Sequence, residues 1–242
     1  MSSSDSDDNM AVDDLPPPAA RPGSASGPRR KSSSSAASGP LTPVANPHAA
    51  LYAAHLDYEE CGSNFYEEGV EDTWREEHPL QDLQPLPAEP AAVRVDQVSK
   101  CQKAVFADAQ LPADAYVGEL RGLMQLRSAF EDALPRAQAL SKRPCPYVFF
   151  HHQVDLCCDA REKGSAMRFV RRTCNPNAEV RLRQSNGHLA LGLFTMHDVA
   201  KDDEITIAFD TPTTQIDYPV HCSCGRRECL FCMFLFECRG RL

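Results

Sequence analysis

From Ala92 onward, short apolar runs recur, bounded by Gly, Pro, Asn and Ser, and this is the pattern of strands rather than helices. The first two runs are 104–107 and 115–120, the second ending at Gly122. Residues 123–142 are rich in Leu, Ala and Arg and predict helix or irregular chain, interrupted at Pro135. Residues 147–150 form a compact aromatic strand. Two further runs, 179–183 and 188–195, flank Ser185-Asn186-Gly187. Asn-Gly between two such runs predicts a tight hairpin, because both turn residues take positive φ. Leu189, Leu191 and Leu193 alternate, so they share the buried face. A last run covers 205–209. Many short strands with little helix predict a mainly β domain.

Upstream the pattern is lost. Residues 1–46 are Ser-, Ala- and Pro-rich and carry the acidic run Asp5, Asp7 and Asp8. Such a stretch cannot bury enough apolar surface to offset its ordering entropy. A short helix is predicted within 46–60, with Asn46 as cap and Pro47 in the first turn. Residues 57–77 mix acids with Tyr58, Phe65, Tyr66 and Trp74. This reads as an acidic linker or as a dock for a basic partner such as a histone. Pro85, Pro87 and Pro90 mark a boundary. The expected organisation is a disordered acidic region over 1–91, a folded domain over 92–220 and a C-terminal segment over 221–242.

Charge agrees with this division. Of the net −9, residues 1–90 hold 16 acidic and 5 basic side chains, leaving the rest near neutral. A near-neutral domain gives no basis for expecting direct DNA binding. The basic run Arg29-Arg30-Lys31 reads as part of a solvated tail before it reads as an import signal. No secretory leader is expected from the first residues, and no membrane span, since 18 consecutive apolar residues occur nowhere. Eleven cysteines without a secretory signal point to reduced thiols and metal.

The metal candidates lie near the C-terminus. Cys222, Cys224 and Cys229 have Cys-x-Cys-x4-Cys spacing, with Gly225 supplying a turn. Cys232 follows at a Cys-x-x-Cys spacing, and Cys238 is near. Local spacing therefore permits a four-thiolate zinc site of Cys222, Cys224, Cys229 and Cys232. Four thiolates leave no open position, so such a site is structural.

The run from Met167 through Arg168, Phe169, Arg171, Arg172 and Cys174 to Asn177 resembles the Arg-Phe-Ile-Asn-His-Ser-Cys-x-Pro-Asn motif of SET-domain lysine methyltransferases. Residues 204–209 resemble that family's second motif, which ends in a catalytic tyrosine. Cys222, Cys224 and Cys229 resemble its post-SET zinc cluster. The stretches 104–107 and 117–122 are similar to its opening strands. The resemblance covers about 92–232. It implies small β-sheets with the first motif threaded as a pseudoknot, a C-terminal zinc-bound segment, and Cys174 rather than Cys232 as the fourth ligand.

The chain departs from the family where the chemistry lies. The family's Asn-His pair helps hold S-adenosylmethionine, and Arg171-Arg172 stand there. Its Gly-x-Gly turn brings backbone to the cofactor, and Gln102 and Ala104 replace both glycines, making close approach sterically harder. Phe209 stands at the catalytic tyrosine and lacks the hydroxyl. Tyr218 is nine residues further on. Losing one positioned hydrogen-bonding group at a reacting centre costs roughly 100-fold or more in rate. With Asp159-Ala160-Arg161 and residues 207–210, these changes resemble a divergent branch. It includes the SET subunit of a fungal histone deacetylase complex and animal mixed-lineage-leukaemia-type regulators. Members usually carry a PHD finger, but residues 1–100 contain only Cys61. The resemblance implies a nuclear chromatin protein that acts by binding histones or deacetylase-complex subunits. The alternatives are a weakly active methyltransferase and a zinc-stapled β domain with no function of the superfamily.

Overall fold

The computed structural model describes residues 48–77, 82–211, 216–218, 220–226 and 229. The Ser/Pro-rich tail, the basic run 29–31, Cys232, Cys238 and the apolar stretch 230–236 lie outside the described residues. In chain order the elements are α1 (Ala49–Ala53), β1 (Glu59–Glu60), β2 (Phe65–Tyr66), α2 (Val70–Glu77), β3 (Val93–Ser99), β4 (Gln102–Ala107), β5 (Tyr116–Leu120), β6 (Leu123–Gln125) and α3 (Arg127–Ala133). They continue with β7 (Val148–Phe150), β8 (Cys157–Asp159), β9 (Lys163–Gly164), β10 (Arg171–Arg172), β11 (Ala178–Ser185), β12 (His188–Thr195) and β13 (Glu204–Ile207).

The strands form small sheets of order β10-β13-β4-β3, β11-β12-β5, β2-β6-β8-β7 and β1-β9. This is the mainly β architecture expected. The hairpin β11–β12 turns at Asn186 (φ 53) and Gly187 (φ 82), with Ser185 opposite His188. Leu189, Leu191 and Leu193 are fully buried, as their alternation requires. The opposite face of β12 is buried as well. A Cβ at Gly192 would lie 2.6 Å from the Leu86 side chain, so the proline-rich segment covers that face. Pro85 bridges to Gln184, and Leu86 N–H donates to the Gln184 carbonyl. The prolines thus cap an edge strand instead of marking a free boundary.

Replacing Gly187 with valine is expected to cost about 1–2 kcal/mol, the penalty of a Cβ in the left-handed region. No atom lies within 4 Å of that Cβ, so the cost is backbone strain alone. Gly62 is equally open but has no positive φ, so Gly62→Val serves as control. The denaturant midpoint should fall for Gly187→Val and stay near wild type for Gly62→Val.

Residues 48–77, expected outside the folded part, are ordered against it. Asn64 Nδ2 donates to Glu119 at 2.8 Å, and Asn64 Oδ1 accepts from Gly122 N–H at 3.0 Å. Tyr66 donates its hydroxyl to the Leu189 carbonyl at 2.7 Å. Val70 and Trp74 are buried, and Glu71 meets His188 at 3.0 Å. The aromatics read as a dock for a basic partner are mostly turned inward, where their area stabilises the domain. The acids Glu67 and Glu68 face solvent. Only Phe65 of the aromatic set stays exposed. The outer strand β3 was also not anticipated. Its Val93 and Val95 alternate with polar residues, but its second half is exposed, leaving a weak apolar signal.

Candidate functional site

The first motif enters the site through a 3₁₀ turn at Ala166–Phe169. It then runs as β10, parallel to β13, with Arg171 opposite Thr206 and Arg172 opposite Ile207. The β11–β12 hairpin separates these two strands in sequence, so their parallel pairing is a long-range crossing. Asn177 locks it. Its Nδ2 donates to the Glu204 carbonyl and its Oδ1 accepts from Thr206 N–H, both at 2.8 Å.

This crossing delivers Cys174 to the C-terminal cysteines. Ser223 N–H donates to the Arg172 carbonyl at 3.1 Å, and Cys174 N–H to Cys222 Sγ at 3.2 Å. Gly225, at φ 67, turns the chain between Cys224 and Cys229. The sulfurs of Cys174, Cys222, Cys224 and Cys229 all lie within 4.8 Å of one another. Four sulfurs held about 2.3 Å from one tetrahedral ion stand about 3.8 Å apart. The Cys174–Cys229 separation is 3.7 Å. The donor set can hold a metal, and its softness and spacing fit zinc.

A second centre lies beside it. Gln102, Arg171, Arg172 and Phe209 line one cavity, together with Tyr147 and Tyr218. Ala104 is fully buried. Arg171 Nε and Nη2 donate to the two Glu204 oxygens, each at 2.5 Å. Arg172 Nε and Nη2 donate to the Asp210 oxygens at 2.7 and 2.5 Å, and Nη2 also reaches the Val148 carbonyl. Its guanidinium lies 4.9 Å from the Phe149 ring centre. Burial alone would pull the Arg172 pKa down, but the Asp210 carboxylate overrides it and the pKa is raised. Asp210 also accepts the Phe150 N–H at 3.1 Å. Two long cations are therefore accommodated by Glu204 of the second motif and by Asp210 just past it.

Residues of the N-terminal segment complete the cavity. Tyr52 of α1 packs edge-on against Tyr147, and His48 against Tyr218. Sequence reasoning missed both, since nothing local links α1 to β7. The cavity that remains measures about 80 Å³, well below the roughly 300–1,000 Å³ of small-molecule pockets. With Gln102 replacing a glycine and the arginines held by carboxylates, the residues do not fit S-adenosylmethionine in this conformation.

Residues 102–210 match the family described as the SET domain. A human protein named inactive histone-lysine N-methyltransferase 2E is 39% identical over 130 residues, covering 52% of this chain and 7% of that protein. A Cryptococcus neoformans histone-lysine N-methyltransferase, H3 lysine-36 specific, is 29% identical over 124 residues, covering 51% of this chain and 14% of its own length. The chain thus spans a small part of these curated relatives. The crystal structure of KRYPTONITE in complex with mCHG DNA and SAH superimposes with a TM-score of 0.50. It is 16% identical and covers 71% of this chain and 46% of that one, a likeness of fold.

Proposed function

We propose that this chain, whose residues 102–210 form a SET domain, acts on chromatin by binding and not by methyl transfer. The observation that carries this reading is the pair of arginine–carboxylate forks, Arg171–Glu204 and Arg172–Asp210, at the positions where the family holds its cofactor. Phe209 supports it by leaving the catalytic position without a hydroxyl. So does the relative named as an inactive methyltransferase. The four cysteines hold zinc as a structural staple. The protein is nuclear, and its partners are histones or subunits of a deacetylase complex.

Calorimetry with S-adenosylmethionine, run beside labelling of histone H3 and nucleosomes, tests the reading. No heat at micromolar cofactor and no label are expected. Micromolar binding with transferred label overturns it. For the partners, a pulldown from nuclear extract is expected to retain deacetylase subunits.

One observation favours a second reading, a weak methyltransferase. Tyr218 lines the same cavity as Phe209 and carries the hydroxyl that Phe209 lacks. If label is transferred, Tyr218→Phe should abolish it under this reading and leave it unchanged under any other.

A further inference from the structure

The four sulfurs of the cysteine cluster are not equivalent. Cys174 is exposed, Cys224 half-buried, and Cys222 and Cys229 buried. Backbone donors also divide them. Cys222 Sγ accepts the Cys174 N–H at 3.2 Å and lies 3.6 Å from Thr173 Oγ1. Cys224 accepts a hydrogen bond from the backbone of Arg226. Such donors stabilise charge on sulfur and lower its nucleophilicity. Among the described residues, the partners of Cys174 Sγ are the three other sulfurs, with Cys229 Sγ at 3.7 Å.

The thiolate, not the thiol, is the nucleophile, and metal ligation keeps Cys174 in that form. Other described cysteines lack this combination. Cys61, Cys157 and Cys158 are buried, and burial raises the pKa of each, which holds them as thiols. Cys174 is therefore the cysteine that joins exposure to thiolate character and has a second thiolate in reach.

We propose that Cys174 is an oxidation site, at which a peroxide converts the metal latch into a disulfide. The inference rests on the reading of the four cysteines as a zinc staple and adds a modification to it. The Cys174 thiolate attacks one peroxide oxygen, the O–O bond breaks, and Cys174 sulfenic acid and hydroxide form. The Cys229 thiolate then attacks that sulfur and expels a second hydroxide. The two thiolates together lose two electrons, which the peroxide gains. Cys222 and Cys224 are left as two of the four ligands, and the ion is released. The oxidised chain stays tied from Cys174 to Cys229, while the segment carrying Cys222 and Cys224 loses its anchor. Thiol reductant and zinc reverse the change.

The test uses the full chain, purified in reductant and desalted without air. Elemental analysis comes first, and a chain without zinc overturns the staple and this proposal with it. Hydrogen peroxide is then added to the zinc-loaded chain with a chromophoric chelator as indicator. Zinc release, a Cys174–Cys229 disulfide in the peptide map and renewed zinc binding after dithiothreitol are expected. Dimedone present with the peroxide should mark Cys174 before Cys222, Cys224 or Cys229. Cys174→His retains a ligand that zinc accepts and removes the exposed sulfur, so release should slow several-fold. Where this variant fails to load zinc, the dimedone and disulfide maps of the unaltered chain decide. Zinc retained while Cys101 is oxidised overturns the proposal and leaves the zinc reading standing. So does a first mark on another cluster cysteine, a bridge between other cysteines, or release from Cys174→His as fast as from wild type.

Discussion

A chelator is expected to unfold the C-terminal segment of this chain and lower its thermal midpoint sharply. Structural zinc sites contribute apparent free energies on the order of 10 kcal/mol at neutral pH, comparable to the stability of a whole domain. Here the cluster joins Cys174, just past β10, to Cys222, Cys224 and Cys229. Without the ion, the backbone link from Ser223 N–H to the Arg172 carbonyl is left to carry much of the crossing. One zinc per chain should be found by elemental analysis. Cys174→Ala should lose it or hold it far more weakly, whereas Cys232→Ala should keep it. A chelated chain with an unchanged midpoint, or zinc lost from Cys232→Ala and kept by Cys174→Ala, would falsify the assignment of ligands.

Arg172→Ala should be nearly as damaging. Arg172 and Asp210 are 17% and 12% exposed in their side chains. Removing the cation leaves Asp210 half-enclosed, with the Phe150 N–H as its remaining protein donor among the described bonds. Breaking a buried pair from one side costs about 3–5 kcal/mol, because an uncompensated charge remains. Asp210→Ala should cost a similar amount, and the double variant less than the sum of the two, which is how coupling appears in a mutant cycle. Denaturant midpoints measure all three. Additive losses would mean that the two side chains do not act as a pair. Arg172→His restores the family's residue type at this position but leaves Gln102, Tyr52 and Phe209 in place. It is expected to destabilise the chain without creating cofactor affinity.

The arginine pair also shows where sequence reading stopped. That Arg171 and Arg172 replace a compact amide and imidazole was legible, because the flanking motif fixes the register. How the chain tolerates them was not. Glu204 and Asp210 are 33 and 38 residues away, and only the parallel pairing of β10 with β13 brings them into reach. The same distinction separates the β11–β12 hairpin from the 48–77 segment. The hairpin's information is local: Asn186-Gly187 sets the turn and alternating leucines set the buried face. In residues 48–77, short polar and acidic runs carry no period, and their aromatics are buried only because a surface elsewhere receives them.

The sequence by itself determined the β-rich class, the hairpin register, the cysteine cluster and the three departures at Gln102/Ala104, Arg171/Arg172 and Phe209. These rest on residue type, spacing and period, which act over a few neighbours. The family resemblance already pointed to Cys174 as the fourth ligand; tertiary structure alone decided that its sulfur meets the other three, that α1 and Tyr52 close the cavity, and that Arg168 is buried between Tyr58 and Tyr147. Those facts depend on which distant surfaces meet, and burial and charge compensation are properties of the assembled fold.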